Sequence, residues 1–165
     1  MSDLLYRLGY GEDIHRFKAG RKLVLCGMEI PCDEGLDGHS DADAAFHAVS
    51  DALLGALGLG DIGKYFPPSD PRYEGIASVE IVKKCLALIK EKGYVVNNVD
   101  VAILAEKPRL RPYEEAMKAS LSSALEVDLD QVGIQFMTNE GLDAVGQGKA
   151  IRVTAIALLK KGETL

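Results

Sequence analysis

Apolar and polar positions change period several times along the chain. Residues 4–11 alternate, with Tyr6, Leu8 and Tyr10 set against Arg7, Gly9 and Gly11, the two-residue period of a strand. Leu23-Val24-Leu25-Cys26 and Met28-Glu29-Ile30 flank Gly27 as two short strands of a hairpin-like stretch. From about residue 41 to about 57 the period becomes helical, with Ala45, Phe46, Val49, Ala52, Leu53, Ala56 and Leu57 on one face. Ser40 is the expected N-cap, and Asp43 completes an S-x-x-D capping box. Residues 58–76 hold Gly58, Gly60, Gly63, Pro67, Pro68, Pro71 and Gly75, too many breakers for a regular element. A loop this long in a compact domain is expected to be functional. A second helix spans about 78–92, with Val79, Val82, Leu86 and Ile89 on its apolar face and Gly93 at its stop. Alternation returns at Val99, Val101 and Ile103. A third helix begins near Pro112, with Glu114 and Glu115 where the helix dipole favours them. Two last strands follow, Val132, Ile134, Phe136 and Thr138, then Ile151, Val153, Ala155, Ala157 and Leu159.

Strands alternating with helices predict one α/β domain of the α+β type over 1–165. The expected form is a two-layer sandwich, helices on one face of a mixed sheet. The other sheet face also carries Ala102, Leu104, Ile156 and Leu158, which predicts burial against further copies of the chain. No repeat, low-complexity tract or linker divides it.

Composition narrows the function. At 47% hydrophobic and 27% charged residues the chain reads as globular rather than disordered. No apolar run approaches the ~18–20 residues of a membrane helix. Met1-Ser2-Asp3-Leu4-Leu5-Tyr6-Arg7 lacks the layout of a secretory signal. Cys26, Cys32 and Cys85, odd in number and without CxxC spacing, fit a reducing compartment. The expected location is the cytoplasm, or a plastid for a mature plastid protein. Nineteen basic against twenty-five acidic residues give −6, without a basic stripe, so nucleic-acid backbone is not an expected partner. An acidic chain that handles phosphate needs local devices, namely metal cations and helix N-termini.

All three histidines, His15, His39 and His47, fall in one third of the chain. A lone histidine is more often a hydrogen-bonded core or surface residue than a ligand. Here Asp13 and His15 stand two apart on a strand and project to one side, and His47 lies within the first helix. One carboxylate and two imidazoles make a three-ligand divalent site with an open fourth position, the catalytic rather than the structural zinc arrangement. Asp43 is equally explained by capping and Asp41 by the first-turn dipole. Asp51 is either an acceptor behind His47 or a solvated helix residue. His39 and Ser40 sit where free helix N–H groups favour an anion, and capping by Ser40 does not exclude phosphate contact.

Longer strings carry a resemblance. Gly11-Glu12-Asp13-Ile14-His15, Gly38-His39-Ser40-Asp41-Ala42-Asp43 with His47, and Leu59-Gly60-Asp61-Ile62-Gly63 resemble the 2-C-methyl-D-erythritol 2,4-cyclodiphosphate synthase family. So do Asn98-Val99-Asp100-Val101, Ala105-Glu106-Lys107-Pro108-Arg109-Leu110 and Thr138-Asn139-Glu140-Gly141-Leu142, in the same order over practically the whole chain.

The resemblance implies a homotrimeric enzyme acting on a small cytidine diphosphate, 4-diphosphocytidyl-2-C-methyl-D-erythritol 2-phosphate. The 2-phosphate attacks the β-phosphorus, CMP departs and a cyclic diphosphate remains. By position, Asp13, His15 and His47 would hold Zn2+, and Glu140 a second divalent cation, Mg2+ or Mn2+. His39 and Thr138 would be catalytic, stabilising the transition state, while Ser40 places the methylerythritol phosphate. Ala105, Glu106, Lys107, Pro108, Arg109, Leu110 and Arg111 would form the cytosine pocket, with Asp61 and Gly63 of an adjacent subunit on the sugar hydroxyls. Further substrate contacts are implied for Asp13, Ile14, His15, Ile62, Phe66 and Asp70, and for Met137, Asn139 and Glu140 beside Thr138. The run from Lys107 to Pro112 is expected to be extended by proline sterics.

Attack of phosphate on phosphate demands charge neutralisation and in-line positioning rather than a strong base, so the lack of a Ser–His–Asp arrangement is consistent. Departures from the family pattern are Met137 and Asn139 where threonines are usual, Gln135 for a basic residue and Pro68 for an acidic one. Ala144 and Gln147 replace a common Phe and Arg near the three-fold axis, which weighs against an isoprenoid diphosphate there. Two other classes compete. A metal-dependent phosphohydrolase would release phosphate or a linear product, and a non-catalytic trimeric nucleotide- or isoprenoid-binding protein could lose metal ligands that this chain keeps.

Overall fold

The structure, a computed structural model, describes residues 4–162; Met1, Ser2 and Asp3 of the N-terminal stretch read above lie outside them. The elements in chain order are β1 (Tyr6–Ala19), β2 (Leu23–Leu25), β3 (Met28–Ile30), β4 (Glu34–Leu36), α1 (Ala44–Ala56), α2 (Ile62–Tyr65), α3 (Ser78–Glu91), β5 (Tyr94–Leu104), α4 (Glu114–Leu125), β6 (Val132–Met137), α5 (Asp143–Gly146) and β7 (Ala150–Lys161). Five strands form one mixed sheet in the order β4-β1-β7-β5-β6, in which only β5 and β6 run parallel. Strands β2 and β3 make a separate hairpin. Helix α1 lies on β1 and β7, α3 packs beside it, and α4 covers β6. The two-layer expectation holds.

The core lies between α1 and the sheet. Val99, Val101 and Ile103 of β5 and Val153, Ala155, Ala157 and Leu159 of β7 point inward and are buried. Strand β1 contributes glycines instead. A Cβ on Gly9 would fall 1.9 Å from the carbonyl oxygen of Ala52, and one on Gly11 2.0 Å from that of Ala48. Helix and strand therefore meet backbone to backbone, with Ala48 and Ala52 the smallest side chains a helix can present there.

The alternation of Tyr6, Leu8 and Tyr10 is real, but its apolar side faces outward. Leu8 is 68% and Tyr10 57% exposed, and they continue into Ile14 and Ile156 on the same bare sheet face. Ala102, Leu104 and Leu158 lie on that face too and are half-buried.

Several boundaries differ from expectation. Helix α1 starts at Ala44, not near 41, and its N-cap is Asp43 rather than Ser40. Asp43 accepts from the N–H groups of Ala45 and Phe46 and also from those of Cys26 and Gly27 in the hairpin. That long-range demand fixes the cap, and Ala42 before it takes a positive φ of 58° that no helix tolerates. Within 58–76 a short helix, α2, and a 3₁₀ turn at Pro71–Tyr73 form despite the breakers, capped by Asp61 and Asp70. Helix α5 is an element the periodicity does not show, and Thr138 lies just past the end of β6. The run from Lys107 to Pro112 is not extended. The peptide before Pro108 is cis, buried Leu110 draws the chain inward, and Leu110 closes the turn by accepting from the Tyr113 N–H at 2.9 Å.

Candidate active site

The glycine contacts between β1 and α1 set the next pair along both elements. Two residues beyond Gly11 on the same face stands Asp13, and one residue before Ala48 stands His47. Asp13 Oδ2 lies 2.9 Å from His47 Nδ1 and 2.9 Å from His15 Nε2. Among the described residues, the cluster able to hold a metal ion is Asp13, His15 and His47, whose ligand atoms all fall within 4.8 Å of one another.

Each ligand is held from behind. Asp13 Oδ1 accepts from the Ile14 N–H at 2.9 Å, which turns Oδ2 toward the two rings. The carbonyl of Asp37 takes His15 Nδ1–H at 2.6 Å, leaving Nε2 with a lone pair. Gly38 makes room for that ring, since a Cβ there would lie 3.0 Å from His15 Cε1. His47 Nε2 sits 2.9 Å from Ser78 Oγ and 3.1 Å from Ser40 Oγ. His15 Nε2 is buried without a hydrogen-bond partner despite its closeness to Asp13. An orphaned ring nitrogen converging with a carboxylate oxygen and a second imidazole fits a tetrahedral divalent ion with one position left open.

Electrostatics agree. Burial opposes ionisation of Asp13, yet His15 and His47 outweigh it and hold its carboxyl well below the usual range. Burial likewise opposes charge on His15, and Asp13 overcomes it and raises the imidazole. Asp51 is not behind His47. Its Oδ1 accepts from the Ile62 N–H at 2.7 Å and ties the start of α2 to α1.

The cluster opens into a cavity of about 500 Å³, which His39 and Ser40 line together with Ile62, Gly63, Phe66 and Asp70. Pro68 lines it as well. The three candidate ligands and the loop after α1 therefore belong to the same half of the molecule. His39 is exposed in its wall. The helix-terminus anion site expected for His39 and Ser40 is not formed, because Asp43 occupies the free N–H groups of α1.

The other predicted residues gather elsewhere. Ala105, Glu106, Pro108, Arg109, Leu110 and Arg111 line a second cavity of about 230 Å³ with Met137 and Thr138. Ala105 N–H donates to the Met137 carbonyl at 2.9 Å, and Glu106 Oε1 accepts from the Asn139 N–H at 2.9 Å, closing that loop pair. Glu140 accepts from Thr138 Oγ1 at 2.9 Å, a partner its sequence context did not reveal. Lys107 pairs with Glu34. Ile14 points to the bare sheet face, and Asp61 caps α2. Register places Asp13, Val153, Ile103 and Phe136 in one row across four strands. The two cavities thus lie at one end of the sheet, about 14 Å apart across three strand spacings.

Comparison with known proteins covers nearly the whole chain. The sequence profile of the YgbB family fits residues 6–160. The chain is 48% identical over 155 residues to the 2-C-methyl-D-erythritol 2,4-cyclodiphosphate synthase of Brachyspira hyodysenteriae, covering 94% of this chain and 98% of that one. With the Clostridium acetobutylicum protein of the same name identity is 49% over 153 residues, covering 93% and 99%. A solved structure of a 2C-methyl-D-erythritol-2,4-cyclodiphosphate synthase in a CDP-bound form superposes with a TM-score of 0.87 at 41% identity, over 93% of this chain and all of that one. A Plasmodium falciparum relative in its CDP complex gives 0.86 at 32%, covering 98% and 100%.

Proposed function

The chain belongs to the YgbB family, and from that premise we propose how its residues divide the work of one reaction. That reaction converts 4-diphosphocytidyl-2-C-methyl-D-erythritol 2-phosphate to 2-C-methyl-D-erythritol 2,4-cyclodiphosphate with release of CMP, in the non-mevalonate route to isoprenoid precursors. An oxygen of the 2-phosphate forms a bond to the β-phosphorus, and the bond from that phosphorus to the bridging oxygen breaks. CMP carries away the electron pair.

Asp13, His15 and His47 hold a divalent ion, and two imidazoles with one carboxylate suit zinc. When bound there, such an ion supplies Lewis acidity to the β-phosphate and offsets the charge of two phosphates brought together. Glu140 would help hold a second ion, magnesium or manganese, which would offset the charge on the leaving CMP. His39 and Thr138 donate hydrogen bonds as charge shifts, and Ser40 helps seat the methylerythritol phosphate. The loop of residues 105–111 takes the cytosine through backbone groups, and Asp61, Ile62 and Gly63 take the sugar.

Neither cavity alone holds all of these parts. The bare face carrying Leu8, Tyr10, Ile14 and Ile156 is apolar enough to require cover, and a closed three-fold ring supplies it. In that ring the metal cavity of one chain meets the cytosine cavity of the next. No helix of the described residues is long and apolar enough to cross a membrane, and Cys26, Cys32 and Cys85 are free thiols. Both facts accord with work in the cytoplasm.

The observation that carries the reading is the convergence of Asp13 Oδ2, His15 Nε2 and His47 Nδ1, each fixed from behind, on a cavity containing His39. Incubating the purified chain with substrate and following phosphorus by NMR tests it. CMP and the cyclic diphosphate are expected in equal amounts. Inorganic phosphate or a linear product identifies a phosphohydrolase instead, and binding without turnover a non-catalytic protein.

A further inference from the structure

We infer that Ser78 and Asp41 form a relay that decides which nitrogen of His47 is left for a metal, making both of them positioning residues for the ion. This role presupposes the metal site proposed above. Ser78 opens α3, thirty-one residues from His47 in sequence, and is completely buried beside it.

The direction of the relay follows from counting hydrogens. A serine hydroxyl has one hydrogen to give and two lone pairs. Asp41, an acceptor only, takes that hydrogen on Oδ1 in a very short contact and also accepts the Ser78 N–H on Oδ2 at 3.0 Å. The carboxylate is therefore fixed by two bonds to one residue. What Ser78 Oγ turns toward His47 Nε2, 2.9 Å away, is a lone pair, and only an N–H on Nε2 satisfies it. The hydrogen then stands on Nε2, and Nδ1 keeps its lone pair beside Asp13 Oδ2.

Ser40 cannot make this choice. Its Oγ accepts from the Ala42 N–H at 3.0 Å, and its own hydrogen remains uncommitted, so at 3.1 Å from Nε2 it can give or accept. Asp41 removes that freedom at Ser78, whose side chain is fully buried. Outer partners of this kind contribute roughly ten- to a hundredfold to metal affinity.

A purely structural role must be separated from this one, because Asp41 also takes an N–H at the start of α3, where Ala77 offers no side-chain cap. The test measures zinc(II) dissociation constants by chelator competition, and melting of the metal-free protein, for the wild type, Ser78→Ala, Asp41→Ala and the double variant. Each single variant is expected to bind zinc roughly ten- to a hundredfold more weakly. The double variant should be no worse than the weaker single one, since Asp41 acts through Ser78. Excess zinc should bring turnover of both single variants back near the wild-type rate.

Lower melting with unchanged zinc affinity would reduce the pair to a helix cap and overturn the relay. Additive losses in the double variant would overturn it too. If Ser78→Ala does not fold, Asp41→Ala, which leaves the Ser78 hydroxyl no acceptor in place of the carboxylate, is read alone, and unchanged affinity there has the same consequence. A wild type that binds no zinc would remove the metal site itself and the relay with it.

Discussion

His47 Nδ1 lies 2.9 Å from Asp13 Oδ2, one step beyond the contacts by which Gly9 and Gly11 seat α1 on β1. The geometry of the site is thus an extension of helix–sheet packing. Gly11→Ala tests the link. Its Cβ would overlap the Ala48 carbonyl, and a backbone cannot yield as a side chain does. A loss upwards of about 3 kcal/mol is expected, or roughly 10 °C in melting temperature for a chain of this size. Metal affinity should fall with it. A variant that melts normally would mean that helix and strand can separate freely.

His47→Ala should lose both the bound ion and the activity while the chain stays folded. The ring sits at the edge of the core, and its removal strands the hydroxyls of Ser40 and Ser78 and takes one of two imidazoles from Asp13, costing about 1–3 kcal/mol. Metal analysis of the purified variant checks it. Wild-type stoichiometry would take His47 out of the ligand set.

Glu140 is exposed, and Gln at that position keeps the oxygen that accepts from Thr138. Glu140→Gln should therefore leave thermal stability within about 0.5 kcal/mol while lowering turnover roughly a hundredfold or more. Steady-state kinetics across a magnesium series decide the point. Near-normal turnover at low magnesium would contradict the assigned role.

Asp43 gives a pH dependence of known sign. Complete burial pushes its carboxyl up to about 6, against the N–H donors of Gly27, Phe46 and Cys26 and helped by the charge of Asp41. Between about pH 4 and 6 the folded chain then holds a proton that the unfolded chain has lost, so stability falls as pH rises through that window. Asp43→Asn has no such titration. Denaturant midpoints should show the wild type losing ground to Asp43→Asn, by on the order of 2–3 kcal/mol, from pH 4 to 6. The opposite trend would mean that the four donors prevail.

Complementation reports how sites are shared. If the chains form the proposed ring, the metal half of a Glu140→Gln chain can meet the cytosine half of a His47→Ala chain in a mixture, and activity should return. His47→Ala mixed with Asp61→Ala should stay inactive, because the loop after α1 lies with the metal ligands. Subunit exchange is verified by mass spectrometry. Rescue of the second pair but not the first would reverse the assignment.

The strands and long helices were legible because their apolar periods are local properties. The metal ligands were legible because Asp13 and His15 share a strand face. What escaped depends on distant partners. Ser40 looked like the cap of α1, but Asp43 wins that place through Cys26 and Gly27, seventeen and sixteen residues away. Ser78 read only as a helix start. Period also could not tell which face of β1 is covered, and it is the glycines, not Tyr6, Leu8 and Tyr10, that meet the helix.

The separation of the two cavities has a consequence for mixtures. If each working centre needs one half from each of two neighbours, a chain spoiled in one half still lends its other half to the chain beside it. Diluting wild type with such chains should lower the number of working centres in proportion to the wild-type fraction. Chains spoiled in both halves should lower it as the square of that fraction. The curvature of a simple titration of dead chains into live ones therefore counts how many polypeptides make one centre.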